Sequence, residues 1–138
     1  MAFKLSKADE TRRTQLCKEL EDKVSAIEKL IADKEALTPY DGDPSVTRYG
    51  FAVAEIQLLI DDEINDFVSG VVDSFQSEFD DKSERWQESD RGQEVSDLIQ
   101  EWDDLDRGPF YPSDDPEDFD AQPYRDLVEA LESLNSSV

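Results

Sequence analysis

Histidine is absent from the chain, and cysteine occurs once, at Cys17. Without imidazole there is no routine acid–base machinery, no Ser-His or Cys-His nucleophile pair and no imidazole metal site. A single thiol forms no internal disulfide and no Cys-rich zinc site, which fits a reducing cytoplasm. No apolar run approaches the ~20 residues of a membrane span, and the opening MAFKLSKADE lacks a signal-peptide core. A cytoplasmic protein with no membrane contact, no metal and no cofactor is expected.

Bases are scarce after Tyr40. Arg48, Lys82, Arg85, Arg91, Arg107 and Arg125 stand there against twenty-eight acids. Residues 1–40 hold eight bases and eight acids, so the whole net charge of -22 lies downstream. Charged and hydrophobic residues make up 36% and 37% of the 138 positions, and the apolar ones recur with a period, which argues against wholesale disorder. Such a surface repels nucleic acid and anionic membrane and attracts cationic proteins.

The long stretch from Phe51 to Trp86 reads as one amphipathic helix. Val53, Ile56, Ile60, Ile64, Phe67, Val71 and Phe75 recur at steps of three and four, and Trp86 continues the row. Several lie eleven apart, the repeat of a nearly straight helix. Thirty-six residues would span roughly 54 Å, more than the preceding helix can cover. Gly70 is expected to admit a neighbouring helix or mark a bend.

That preceding helix should run from about Lys7 to Ala36, capped by Ser6 with Asp9 three residues on. Cys17, Leu20, Val24, Ile27 and Ile31 form a heptad-spaced seam, best explained by an intrachain helical hairpin. Thr38–Thr47 breaks the chain, and Asp43 before Pro44 predicts a helical turn opening near Pro44. No strand pattern is evident. Ser89 should cap a third helix with Val95, Leu98, Ile99, Trp102 and Leu105 inside, ended by Gly108–Pro109. A loop rich in Pro and Asp follows, which either packs through Phe110, Tyr111 and Phe119 or stays mobile. The last short helix spans Tyr124–Leu134. The expected architecture is all-α: a long antiparallel helical hairpin with a third helix and a short C-terminal helix packed on its far end. Its parts are an acidic helical region, 1–106, a loop, 107–122, and a C-terminal helix and tail, 123–138.

One constellation stands out. Opposite the long helix's apolar face, helical arithmetic aligns Glu55, Asp62, Asp66, Asp73, Asp80 and Glu84. Asp97, Glu101 and Asp104 extend the acidity through the third helix. Duplex DNA carries one negative charge per ~1.7 Å of axis, so a stiff row of carboxylates can imitate it. Solubility alone needs a net charge of only about 2–8. Glu-x-x-Asp pairs such as Glu63/Asp66 and Glu94/Asp97 resemble magnesium-binding spacings, but thirty-six acids generate them by chance. The Asp41-Gly-Asp43 and Asp61-Asp62-Glu63 clusters lack the calcium-loop pattern.

The segment KSERWQESDRG, residues 82–92, resembles uncharacterised small proteins of phages and plasmids. The resemblance implies a mobile-element setting and carries over no functional residue. The expected function is that of a non-enzymatic, DNA-mimic-type inhibitor, such as an anti-CRISPR or anti-restriction protein. Its partner would be a basic nucleic-acid-binding protein, with no direct contact to nucleic acid. The alternatives are a helical adaptor pairing through its apolar seams, in the limit as a homodimer, and an immunity or antitoxin protein for a basic toxin.

Overall fold

A computed structural model describes residues 3–138. Helix dominates, at 68% of the chain. α1 spans Lys7–Ala32, capped by the Ser6 hydroxyl, which accepts from the Asp9 amide at 3.0 Å. It stops four residues short of the expected Ala36. The cause is a Schellman closure: the Lys34 amide donates to Ile31 and the Glu35 amide to Leu30, with Lys34 at φ 59.

The expected helical turn at Pro44 does not form. β1 (Pro39–Tyr40) and β2 (Asp43–Thr47) make a small antiparallel hairpin instead. Asp41 and Gly42, both at positive φ, close it, the backbone that Asp-Gly favours in two-residue turns. Thr47, not Asp43, caps the next helix, its hydroxyl accepting from the Gly50 amide at 3.0 Å.

The long helix is a continuous 33-residue run in three parts. α2 is Arg48–Leu58, a π segment follows at Leu59–Ile64, and α3 is Asn65–Asp80. It ends at Asp80 rather than Trp86. Ser83 then caps a single separate turn, α4 (Glu84–Gln87), its hydroxyl accepting from the Trp86 amide. The π segment buries Leu59, Ile60 and Ile64 together and re-phases α3. Val68 therefore lies in the core, while Val53 and Phe67, expected there, are half-buried.

α1 runs antiparallel to α2, with Arg12 paired to Glu63 at 3.1 Å and Lys23 to Glu55 at 3.9 Å. Being shorter, α1 leaves α3 uncovered. α5 (Asp90–Asp103) covers it, returning antiparallel with Trp102 against Phe67. α6 (Gln122–Ser133) lies along α1, not at the far end of the hairpin. Trp102, fully buried, joins the two parts. Arg13 sits over its ring at 5.6 Å, and its indole N–H donates to the Asn135 carbonyl at 2.8 Å.

Gly70 has open space beside it, so no helix packs there. Gly92 is the close approach: a Cβ would strike the carbonyls of Trp86 and Gln87. The Pro- and Asp-rich loop packs. Phe110 and Phe119 set their rings against Tyr124, and the Tyr49 hydroxyl donates to the Ser113 carbonyl at 2.5 Å. Tyr111 alone of the loop aromatics stays out, at 88% exposure.

Candidate acidic interface

Six acids were expected in line on the long helix and three more on the third helix, and the fold gives the nine different surroundings. Asp62, Asp66, Asp73 and Asp97 are exposed and make no ion pair or side-chain hydrogen bond among the described residues. Glu84 is also exposed and unpaired, but it opens the separate α4 turn. Asp80 and Asp104 are exposed and accept only from neutral amides, Gln76 at 2.9 Å and Gln100 at 2.7 Å. Glu55 is neutralised by Lys23. Glu101 is half-buried, and its carboxylate holds the backbone and side-chain amides of Asn135, each at 3.0 Å.

The six-acid row on the long helix is therefore broken. An i→i+5 turn takes up one extra residue, so it retards the helix by roughly 100°. Glu55 is turned away from Asp66, Asp73 and Asp80 by about that angle. These three keep a common line opposite Val68, Val71 and Phe75, and span roughly 21 Å of axis.

α5 carries a second line that the sequence had only sketched. Asp90, Glu94 and Asp97 step four and three, all exposed, opposite the buried Val95, Leu98 and Trp102. Across residues 65–106 fourteen acids meet three bases, Lys82, Arg85 and Arg91. Arg91 pairs with Glu94 at 3.4 Å inside α5, and Lys82 lies over the Trp86 ring at 5.4 Å. No ion pair joins α3, α4 and α5 to one another among the described residues. The signal for α5 was present in its repeat of acids at i, i+4 and i+7.

The other titratable groups serve packing. Burial, then the Glu132 carboxylate, push the Cys17 thiol up to about 11, against the opposing Arg13 guanidinium. That thiol stays protonated at neutral pH, unlike a nucleophilic cysteine. Burial also raises the Tyr49 and Tyr124 phenols. Among the described residues no group of three or more His, Cys, Asp or Glu could hold a metal ion, and no helix is long and apolar enough to cross a membrane.

Fold and surface together define a mostly helical bundle with one strongly acidic flank, most of whose carboxylates make no ion pair among the described residues. Comparison with protein-family models, with curated proteins and with solved structures gave no match. In the segment resembling phage and plasmid proteins, Ser83 caps α4, Ser89 caps α5 and Trp86 packs against Phe3 and Phe79.

Proposed function

We propose that this chain is a non-enzymatic acidic binding protein that occludes a basic, nucleic-acid-binding surface of another protein. The outer faces of α3 and α5 make the contact, through Asp66, Asp73, Asp80, Asp90, Glu94 and Asp97. The observation that carries the reading is the unpaired excess on this flank, fourteen acids to three bases, in a protein that pairs charges readily elsewhere. Carboxylates held on packed helices offer a fixed line of negative charge to a cleft built for phosphates. Binding would release the counterions condensed around both surfaces and be steeply salt-dependent. An anti-CRISPR or anti-restriction inhibitor works in this sense.

The adaptor alternative has less support, because one of its two seams is used up inside the chain. Cys17, Leu20, Val24 and Ile27, the seam meant for a second chain, are buried within one chain. An immunity protein for a basic toxin uses the same electrostatics and differs in what its partner does.

The test begins with a pull-down from the native host at low salt, eluted with a salt gradient. The captured protein is then assayed for DNA or RNA binding with and without this chain. Expected are elution well below ~1 M salt, competition with nucleic acid, and loss of both on reversing Asp66, Asp73 and Asp80 to Lys with helicity unchanged. Retention at ~1 M salt, or binding indifferent to the reversal, would sink the reading. A captured toxin whose nucleic-acid binding is unaffected would favour the immunity role.

A further inference from the structure

The flank opposite in character is α2. Its sequence, RYGFAVAEIQL, has two charges, Arg48 and Glu55, and both are already paired, with Glu35 and Lys23. Its core side is filled by Tyr49, Ile56 and, just beyond, Leu59. Its outer side shows Phe51 half-buried, Ala54 exposed and Leu58 at 61% exposure. Two tyrosines flank this strip. Tyr40 stacks on Phe51 at 3.8 Å on one edge. On the other, Tyr111 and α2 line a shallow cavity of about 450 Å³.

Among the described residues four large hydrophobic side chains are exposed, Leu37, Tyr40, Leu58 and Tyr111, and three of them border this one helix face. Scattered apolar residues on a surface need no explanation, but grouped ones do, and tyrosine is enriched at interface centres. Its rim supplies the sign of the occupant. Asp61 and Asp62 lie beyond Leu58, Asp41 follows Tyr40 and Asp114 lines the Tyr111 cavity, none of them in an ion pair among the described residues. A second copy would bring another net charge of -22 against that rim.

We infer that the α2 face, bordered by Tyr40, Leu58 and Tyr111, docks a basic amphipathic segment of a partner protein. That segment covers Leu58 and the tyrosines with apolar side chains and sets Lys or Arg against Asp61, Asp62 and Asp114. It deepens the reading above and rests on it for the partner's positive charge. The acidic α3–α5 flank attracts the partner, and the α2 face adds apolar contacts that depend less on salt than the ion pairs around them.

The probes are two synthetic peptides of equal charge, a Leu/Lys helix with leucines at i, i+4 spacing and an oligolysine of matching length. Binding to the full chain is followed by fluorescence and by amide chemical shifts, at low salt and at ~0.5 M salt. The expected result is that the amphipathic helix binds at least about tenfold tighter than oligolysine, with shifts centred on Phe51, Leu58 and Tyr111. Leu58→Asp removes that tenfold, while Asp66→Asn/Asp73→Asn/Asp80→Asn weakens both peptides alike. Equal binding of the two peptides, or shifts confined to α3 and α5, overturns the docking face and leaves the acidic flank standing. If neither peptide binds, both readings fail. A dimer in sedimentation that Leu58→Asp dissolves would make a second copy the occupant and also overturn the proposal.

Discussion

The two ends of this molecule share one apolar core but differ in what surrounds it. Where α1, α2 and α6 meet, ion pairs add to the packing at the joints. Arg12 reaches Glu63, Lys23 reaches Glu55, Arg48 reaches Glu35, and Arg125 holds both Glu21 and Glu28. Where α3, α4 and α5 meet, packing and backbone capture replace charge. Phe67 lies edge-on to Trp102 at 6.0 Å, and Gly92 lets α5 pass against the α4 carbonyls. The Gln87 amide donates to the carbonyls of Phe79 and Lys82, closing the turn between them. With three bases among fourteen acids, that end has few cations to offer across its contacts, and it relies on apolar burial and close backbone contact.

Breaking the link between the two ends should have the largest effect. Trp102→Ala removes the fully buried ring that touches Phe67, carries Arg13 and anchors Asn135. A loss of about 3–5 kcal/mol is expected, read from urea denaturation at neutral pH. Next comes a change confined to the acidic end. Gly92→Ala drives a methyl into two backbone carbonyls that have no rotamer to yield, and should cost about 2–3 kcal/mol. Gly70→Ala, with open space beside it, should instead gain slightly, by under about 1 kcal/mol. If the two alanines behaved alike, the close-packed account of the acidic end would be wrong.

Much of the helical frame could be read from the sequence because its signals are local. Ser6 and Ser89 cap α1 and α5 as their positions suggest, and the seam Cys17, Leu20, Val24, Ile27 is buried as its spacing requires. The hairpin had a local signal too, Asp41-Gly42, but Pro39 and Pro44 on either side pointed to a break or a helix start. The π segment had none. Steps of three and four in apolar residues fit an α-helix and one with an inserted residue equally well. Only the need to bury Ile64, Val68 and Val71 against a second neighbour fixes the phase. The same limit applied to the acids. Exposure followed from the helix face, but the loss of Glu55 to Lys23 depends on where α1 lies in space.

The contrast in charge can be sharpened with substitutions of opposite sign. Glu63→Gln breaks a half-exposed pair with Arg12 and should lose up to about 1 kcal/mol. Asp97→Asn removes like-charge contacts with Glu94 and Glu101, three and four residues away, and should gain about 0.4–1 kcal/mol. Both differences should shrink in ~1 M salt, where the screening length falls to about 3 Å. Parallel urea curves at low and high salt decide it. A loss on Asp97→Asn would mean that this carboxylate has an intramolecular partner, and that the flank is not free to meet a cationic surface.

Acid should separate the two ends by the smallest margin. The hydrogen bond from Arg125 holds the Glu28 carboxyl below its ordinary value, against an opposing effect of burial. A depressed carboxyl means that the folded chain binds the proton less readily than the unfolded chain. Its contribution is therefore complete above the ordinary value of 4.5 and fades as pH falls through the lowered one. Arg125 stays charged throughout, its own value raised by Glu28 and Glu21, and adds no slope. Glu28→Gln should lower the urea midpoint at pH 6–7 by a small amount, because the carboxylate is 44% exposed and well screened. That difference should close as the buffer is taken below the ordinary carboxylate range. A gap that stayed constant down to acid pH would mean that the effect of Glu28→Gln does not come from the charge of the carboxylate, and the two ends would then differ less than their ion pairs suggest.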